Sequence, residues 1–110
     1  MDNLKRINDI YGHTAGDRAL KLLGNMLAKY TGHGIASRLG GDEFLIFMPD
    51  VSHEAVAEQM HKLFQEFHSI IENDVEIQCA TLSAGLCMCT CEDSFESCYL
   101  KADKTLYYVK

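Results

Sequence analysis

The stretch Arg38-Leu39-Gly40-Gly41-Asp42-Glu43-Phe44-Leu45-Ile46-Phe47 constrains this chain most, because two glycines and two adjacent carboxylates separate two strand-like runs. It predicts a β-hairpin with its chemistry at the tip. Gly40 and Gly41 supply the positive φ angles of a two-residue turn and leave the backbone open to a bulky ligand. Asp42 and Glu43 follow at once, and successive strand side chains point to opposite faces, so one carboxylate can face a site while the other faces away. Hard oxygen donors of this kind suit Mg²⁺ or Mn²⁺, which complete their shells with phosphate oxygens and water. Alone, such a turn would be read as an acidic bend without function; the rest of the chain argues otherwise.

With 110 residues the chain is read as one domain with a modest core. A net charge of −6 argues against a nucleic-acid surface, which calls for a basic patch. No apolar run is long enough to cross a membrane and no signal segment opens the chain, so a cytoplasmic protein without direct membrane contact is expected. The five cysteines, Cys79, Cys87, Cys89, Cys91 and Cys98, are then expected as reduced thiols. Cys87, Cys89 and Cys91 alternate as on one strand face, but the second ligand pair of a structural zinc site is missing. His53, His61 and His68 read as a solvated stripe of a helix.

Leu20, Leu23, Met26, Leu27 and Tyr30 recur at helical spacing, predicting a helix from about Ala15 that Gly32 ends. Strands are expected over Ile35 to Leu39 and Phe44 to Met48, the second buried on both faces, with Pro49 closing it. Ser52 caps a long helix whose buried stripe is Val56, Met60, Leu63, Phe67 and Ile71. After a turn at Asn73-Asp74, Val75 to Met88 carries strand signals. Ser94 caps a last helix with Phe95, Cys98, Tyr99, Ala102, Leu106 and Val109 on one side. The order helix, strand, strand, helix, strand, helix predicts an α+β fold, an antiparallel sheet sandwiched by helices. The chain opens directly on a short helix-like segment, Met1 to Asp9, with no strand before it.

Five ordered motifs together resemble the GGDEF domain of diguanylate cyclases. They are Asp2-Asn3-Leu4-Lys5-Arg6-Ile7-Asn8-Asp9, Tyr11-Gly12-His13-Thr14-Ala15-Gly16-Asp17, the signature Gly40-Gly41-Asp42-Glu43-Phe44, Thr81-Leu82-Ser83-Ala84-Gly85, and Ala102-Asp103-Lys104-Thr105-Leu106-Tyr107 with Lys110. The resemblance covers nearly the whole chain, with Leu4 where phenylalanine is usual. It implies a fold like the ferredoxin-like palm of polymerases and nucleotidyl cyclases, and condensation of two GTP molecules into cyclic di-GMP with release of pyrophosphate. Two domains each present one GTP to the other, so a homodimer is implied, with Mg²⁺ or Mn²⁺ as cofactor and an N-terminal sensory domain in the parent protein.

Carried over by position, Asn8 and Asp17 hydrogen-bond the guanine edge. Gly40 and Gly41 let the nucleotide lie over the hairpin. Asp42 is a metal ligand and candidate general base, with Glu43 a second metal-site carboxylate; either could take the proton. The Asn3 and Leu4 amides receive terminal phosphates, and Lys5 and Lys110 add positive charge. Without the resemblance, Asn8, Asp9 and Asp17 would read as caps and turn formers. Asp103 is expected to make a structural contact, and Arg38 to support the phosphates or pair across the hairpin.

Three departures qualify this reading. The family's first metal-binding aspartate falls two positions before Asp2, hence before Met1, together with the first central strand of the sheet. The final strand and a basic residue after Lys110 are missing as well. The chain is therefore expected to be truncated at both ends, inactive by itself, and open to strand borrowing. The product-inhibition motif R-x-x-D would fall on Thr31 and Gly34, so that inhibition is expected to be absent. The alternatives weighed are a non-catalytic GTP-binding regulatory domain and a dimerisation unit that binds no nucleotide.

Overall fold

The computed structural model describes residues 1–90, 92–104 and 107–109. Helix α1 (Leu4–Tyr11) turns sharply at Gly12 (φ 92°) into α2 (His13–Tyr30), and a hairpin follows, β1 (Ile35–Gly40) and β2 (Glu43–Phe47). The long α3 (His53–Ile71) leads through turns to β3 (Leu82–Ala84), α4 (Phe95–Lys104) and β4 (Tyr107–Val109).

The helices lie where apolar spacing puts them. On α2, Ala15, Ala19, Leu23, Met26 and Leu27 are buried at three- and four-residue steps, and the Thr31 amide closes the last turn on the Leu27 carbonyl at 3.0 Å. On α3, Ser52 Oγ accepts from the Ala55 amide at 3.2 Å, the expected cap, while Val56, Leu63, Phe67 and Ile71 are buried. His53, His61 and His68 are exposed. Stripes of α1, α2 and α3 meet with Ile77, Ala80 and Leu82 in one cluster, where Ile7, Leu63 and Ile71 have no exposure at all.

The sheet differs from the expected one. It consists of two antiparallel ribbons, β1 with β2 and β3 with β4, tied to the chain start by a bridge between Asp2 and Thr81. Every β1 residue is exposed, and on β2 only Phe44 to Ile46 are half-buried, Phe44 and Ile46 leaning on the core. Burial of β2 on both faces is therefore corrected: among the described residues the ribbon has no third strand, and only one face meets helices.

The predicted strand over Val75 to Met88 shrinks to Leu82–Ala84. Asp74 is the reason. Its carbonyl accepts from the Ile77 and Gln78 amides at 3.2 and 2.8 Å, and its Oδ1 accepts from the Glu76 amide at 3.0 Å, so residues 75–79 coil into turns. Beyond β3, a Cβ on Gly85 would land on the Ala102 carbonyl, so this glycine lets α4 approach. Ser94 caps α4 as expected, its Oγ accepting from the Ser97 amide at 3.1 Å. The helix ends at Lys104 rather than continuing to Val109, which pairs in β4 with Leu82. Leu106 lies outside the described residues.

The architecture is α+β, four helices packed with antiparallel ribbons. The cysteines depart from expectation in one respect. Cys89 and Cys98 are joined as a disulfide with Cα atoms 6.3 Å apart, while Cys79 and Cys87 are free thiols. Residues 85–90 form no strand, so the alternating face predicted for Cys87, Cys89 and Cys91 does not exist; Cys91 lies outside the described residues.

Candidate functional site

The hairpin turn sits one residue further along than the sequence suggests. Gly40 pairs with Glu43 after an irregularity at Leu39, so Gly41 and Asp42 make the two-residue turn, with Gly41 at φ 51° and Gly40 at φ 154°. Neither glycine has any atom within 4 Å of the place its Cβ would occupy, which leaves the backbone open above the turn. Arg38 Nε donates to the Gly41 carbonyl at 2.9 Å, a staple across the tip in place of a pairing with carboxylate. Asp42 is half-buried and its carboxylate enters no ion pair or hydrogen bond among the described residues. Glu43 is exposed and accepts from the Tyr99 hydroxyl of α4 at 3.3 Å. The two adjacent carboxylates thus point to different surroundings.

The chain start lies against this tip. The Met1 amino group donates to the Asp42 carbonyl at 2.7 Å. Asp2 accepts from the Thr81 and Ser83 hydroxyls at 3.1 and 2.7 Å, and its amide donates to the Thr81 carbonyl. Asn3 adopts a left-handed conformation (φ 68°), with its Nδ2 donating to the Cys79 carbonyl at 2.8 Å. Five contacts therefore clamp the residues that open α1. The amides of Asn3 and Leu4 carry no protein acceptor among the described residues, and Lys5 on the same first turn is exposed. Thr81 and Ser83 were not singled out as anchors from sequence; their i, i+2 spacing on one strand face was the available signal.

The Gly12 corner brings Asn8 against Gly16, the residue before Asp17. That corner folds α1 back on α2, so that a Cβ on Gly16 would land on Asn8 Oδ1. Asn8 Oδ1 is buried and has no hydrogen-bond partner among the described residues, the kind of orphan acceptor that folded proteins seldom leave unpaired. Asp17, next to Gly16, is exposed and lines an open groove of about 360 Å³ with Leu20, Lys21, Arg38 and Phe44. Asp17 and Arg38 thereby place the α2 face and the hairpin on one groove. Lys110 lies outside the described residues.

Two ion-paired clusters stand apart from this site. The Tyr30 hydroxyl and then Lys29 hold the Glu66 carboxyl below its ordinary value, and Arg18 does the same to Asp74. These pairs staple α2 to α3 and to the turns after α3. Among the described residues, no helix is long and apolar enough to cross a membrane.

Residues 1–110 match the family described as "Diguanylate cyclase, GGDEF domain". The chain is 32% identical over 112 residues to Diguanylate cyclase DgcP of Pseudomonas aeruginosa, covering 100% of this chain and 17% of that protein. It is 34% identical to Diguanylate cyclase DgcN of Escherichia coli, covering 99% of this chain and 28% of that protein. With Diguanylate cyclase A of Treponema denticola it shares 35% identity, covering 100% of this chain and 30% of the relative. The chain therefore spans less than a third of the length of these curated relatives. No solved structure matches it significantly.

Proposed function

This chain belongs to the GGDEF family of diguanylate cyclase domains, and from that premise we propose that a protein carrying this domain binds GTP with it and, as a dimer, joins two GTP molecules into cyclic di-GMP. The observation that carries the reading is the buried Asn8 Oδ1 packed against Gly16, unpaired among the described residues. A guanine ring offers donors at N1 and its exocyclic amine, which suit Asp17 and Asn8, and adenine lacks that pair.

Asn3 and Leu4 offer amides without an acceptor among the described residues at the start of α1 for the terminal phosphates, Lys5 adds charge there, as the family resemblance implies for Lys110, and Gly40 and Gly41 let the nucleotide lie over the turn. Asp42 and Glu43 present hard oxygens, the Asp42 carboxylate without another partner, and this donor set fits Mg²⁺ or Mn²⁺. Such a cation would lend positive charge to the phosphate oxygens. In each half-reaction the 3′-oxygen of one nucleotide bonds to the α-phosphorus of the other, the bond from that phosphorus to the bridging oxygen breaks, and pyrophosphate leaves. Asp42 is positioned at the tip to take the hydroxyl proton, with Glu43 beside it. The reacting nucleotides face each other only when two tips meet, which makes the second copy a partner in the chemistry.

The test is incubation of a verified dimeric preparation of the domain, extended by the family's first strand and its aspartate, with GTP and Mg²⁺, followed by chromatography for cyclic di-GMP and assay of pyrophosphate. Product that disappears in Asp42→Asn supports the reading. Saturable GTP binding without turnover would replace it with a regulatory nucleotide-binding role, and absence of binding would remove it.

A further inference from the structure

Three sulfurs that the proposed chemistry does not use gather beside α4. Cys87 and Cys89 come from the segment after β3, and Cys98 from the first turn of α4. Their Sγ atoms all lie within 4.8 Å of one another, and none is fully buried. A local reversal creates the cluster. Asp93 Oδ2 accepts from the Thr90 amide at 2.8 Å and from its hydroxyl at 3.3 Å, and Lys101 reaches Asp93 Oδ1 at 3.2 Å, folding the segment back onto the helix.

We propose that the reduced protein holds one zinc-class cation on Cys87, Cys89 and Cys98, with a fourth position open to solvent. A tetrahedral zinc ion with bonds of about 2.3 Å to sulfur sets its sulfurs about 3.8 Å apart, within small side-chain rotations of the positions seen here. Two ligands from the irregular segment after β3 and one from a helix's first turn meet the requirement for separated donors that the sequence spacing alone did not satisfy. Thiolates select soft or borderline ions, so this site is chemically distinct from the oxygen donors of Asp42 and Glu43, which suit magnesium. Each thiol that ligates gives up its proton to solvent, so uptake of the ion is accompanied by proton release.

The Cys89–Cys98 disulfide removes two of the three donors, so bridge and ion exclude each other. Peroxide treatment takes two electrons and two protons from these two thiols, forming the bridge as the peroxide is reduced to water. Cys79, whose thiol lies outside the cluster, serves as the internal control.

The experiment is titration of the reduced full chain with Co²⁺ under anaerobic conditions, reading the thiolate-to-cobalt charge-transfer band. The expected result is one Co²⁺ per chain, displaced by Zn²⁺, retained in Cys79→Ser and lost or weakened at least tenfold in both Cys87→Ser and Cys98→Ser. Circular dichroism of each variant verifies folding. Prior oxidation with peroxide should abolish uptake. Absence of the band in the folded, reduced protein overturns the proposal. So does a Cys98→Ser variant that binds as tightly as the parent, because the donors would then lie within one local segment.

Discussion

The Tyr99 hydroxyl donates to Glu43 Oε1 at 3.3 Å, joining α4 to the hairpin tip across 56 positions of sequence. The contact occupies one lone pair of a carboxylate that the proposed reaction assigns to the cation. Removing it with Tyr99→Phe is expected to lower the Mg²⁺ concentration for half-maximal cyclase activity by roughly two- to threefold, because a neutral donor no longer competes. A magnesium titration of initial rates checks this; an unchanged or raised requirement would show that Tyr99 positions Glu43 rather than competes for it. Glu43→Gln, by contrast, should cut activity at least tenfold while moving Tm by less than about 2 °C, since the side chain is exposed.

Gly16 gives a sign that helix propensity alone gets wrong. Glycine to alanine inside a helix usually stabilises by about 1 kcal/mol. Here the new Cβ would land on Asn8 Oδ1. Gly16→Ala is expected to destabilise by about 1–3 kcal/mol in urea unfolding and to weaken GTP binding at least tenfold by displacing Asn8. A more stable variant with unchanged affinity would contradict the packing described.

Arg18 supplies a pH signature. Its guanidinium contacts Asp74 at 2.7 Å and Glu76 at 3.1 Å, and it holds the Asp74 carboxyl below its ordinary value of 3.8. A carboxyl lowered in the folded state contributes stability that is complete above its unfolded value and fades as pH falls through the folded one. Arg18→Met should therefore lower Tm by a few degrees at pH 7, and the difference from the parent should shrink below about pH 3.8. Thermal scans from pH 7 to pH 2.5 decide it; a gap that persists at the acid end would place the effect in packing of the arginine stem.

Phe67 and Leu63 test the core. At 1% and 0% exposure they join α3 to the common cluster. Phe67→Ala should cost about 3–5 kcal/mol and Leu63→Ala about 2–5 kcal/mol, measured by chemical denaturation. Values below about 1 kcal/mol would mean that the cluster is not the folding core.

The helices and the hairpin were legible because their signals are local. Ser52 caps α3 and the α2 stripe repeats at helical spacing, so neighbours in sequence settle the outcome. Val75 and Ile77 misled because β-branched residues favour strands only when no better local bond competes, and Asp74 offers one on side chain and carbonyl alike. The turn was misplaced by one residue because the irregularity at Leu39 moves Gly40 into the ladder. At the site, the motifs named Asn8, Asp17, Asp42 and Glu43, but the clamp of Thr81 and Ser83 on Asp2, and Tyr99 on Glu43, join residues 56 or more apart. The sulfur cluster was hidden for the same reason: it exists only once the chain has reversed at Thr90 to Asp93.

The signature carboxylates stand on a ribbon whose first strand is wholly solvent-facing, while the weight of the molecule hangs on α1, α2 and α3. Selection can therefore act on the two separately. A lineage that drifted at Asp42 would keep a sound scaffold, and a duplicated gene could trade its enzymology for a listening role without ever passing through an unfolded ancestor.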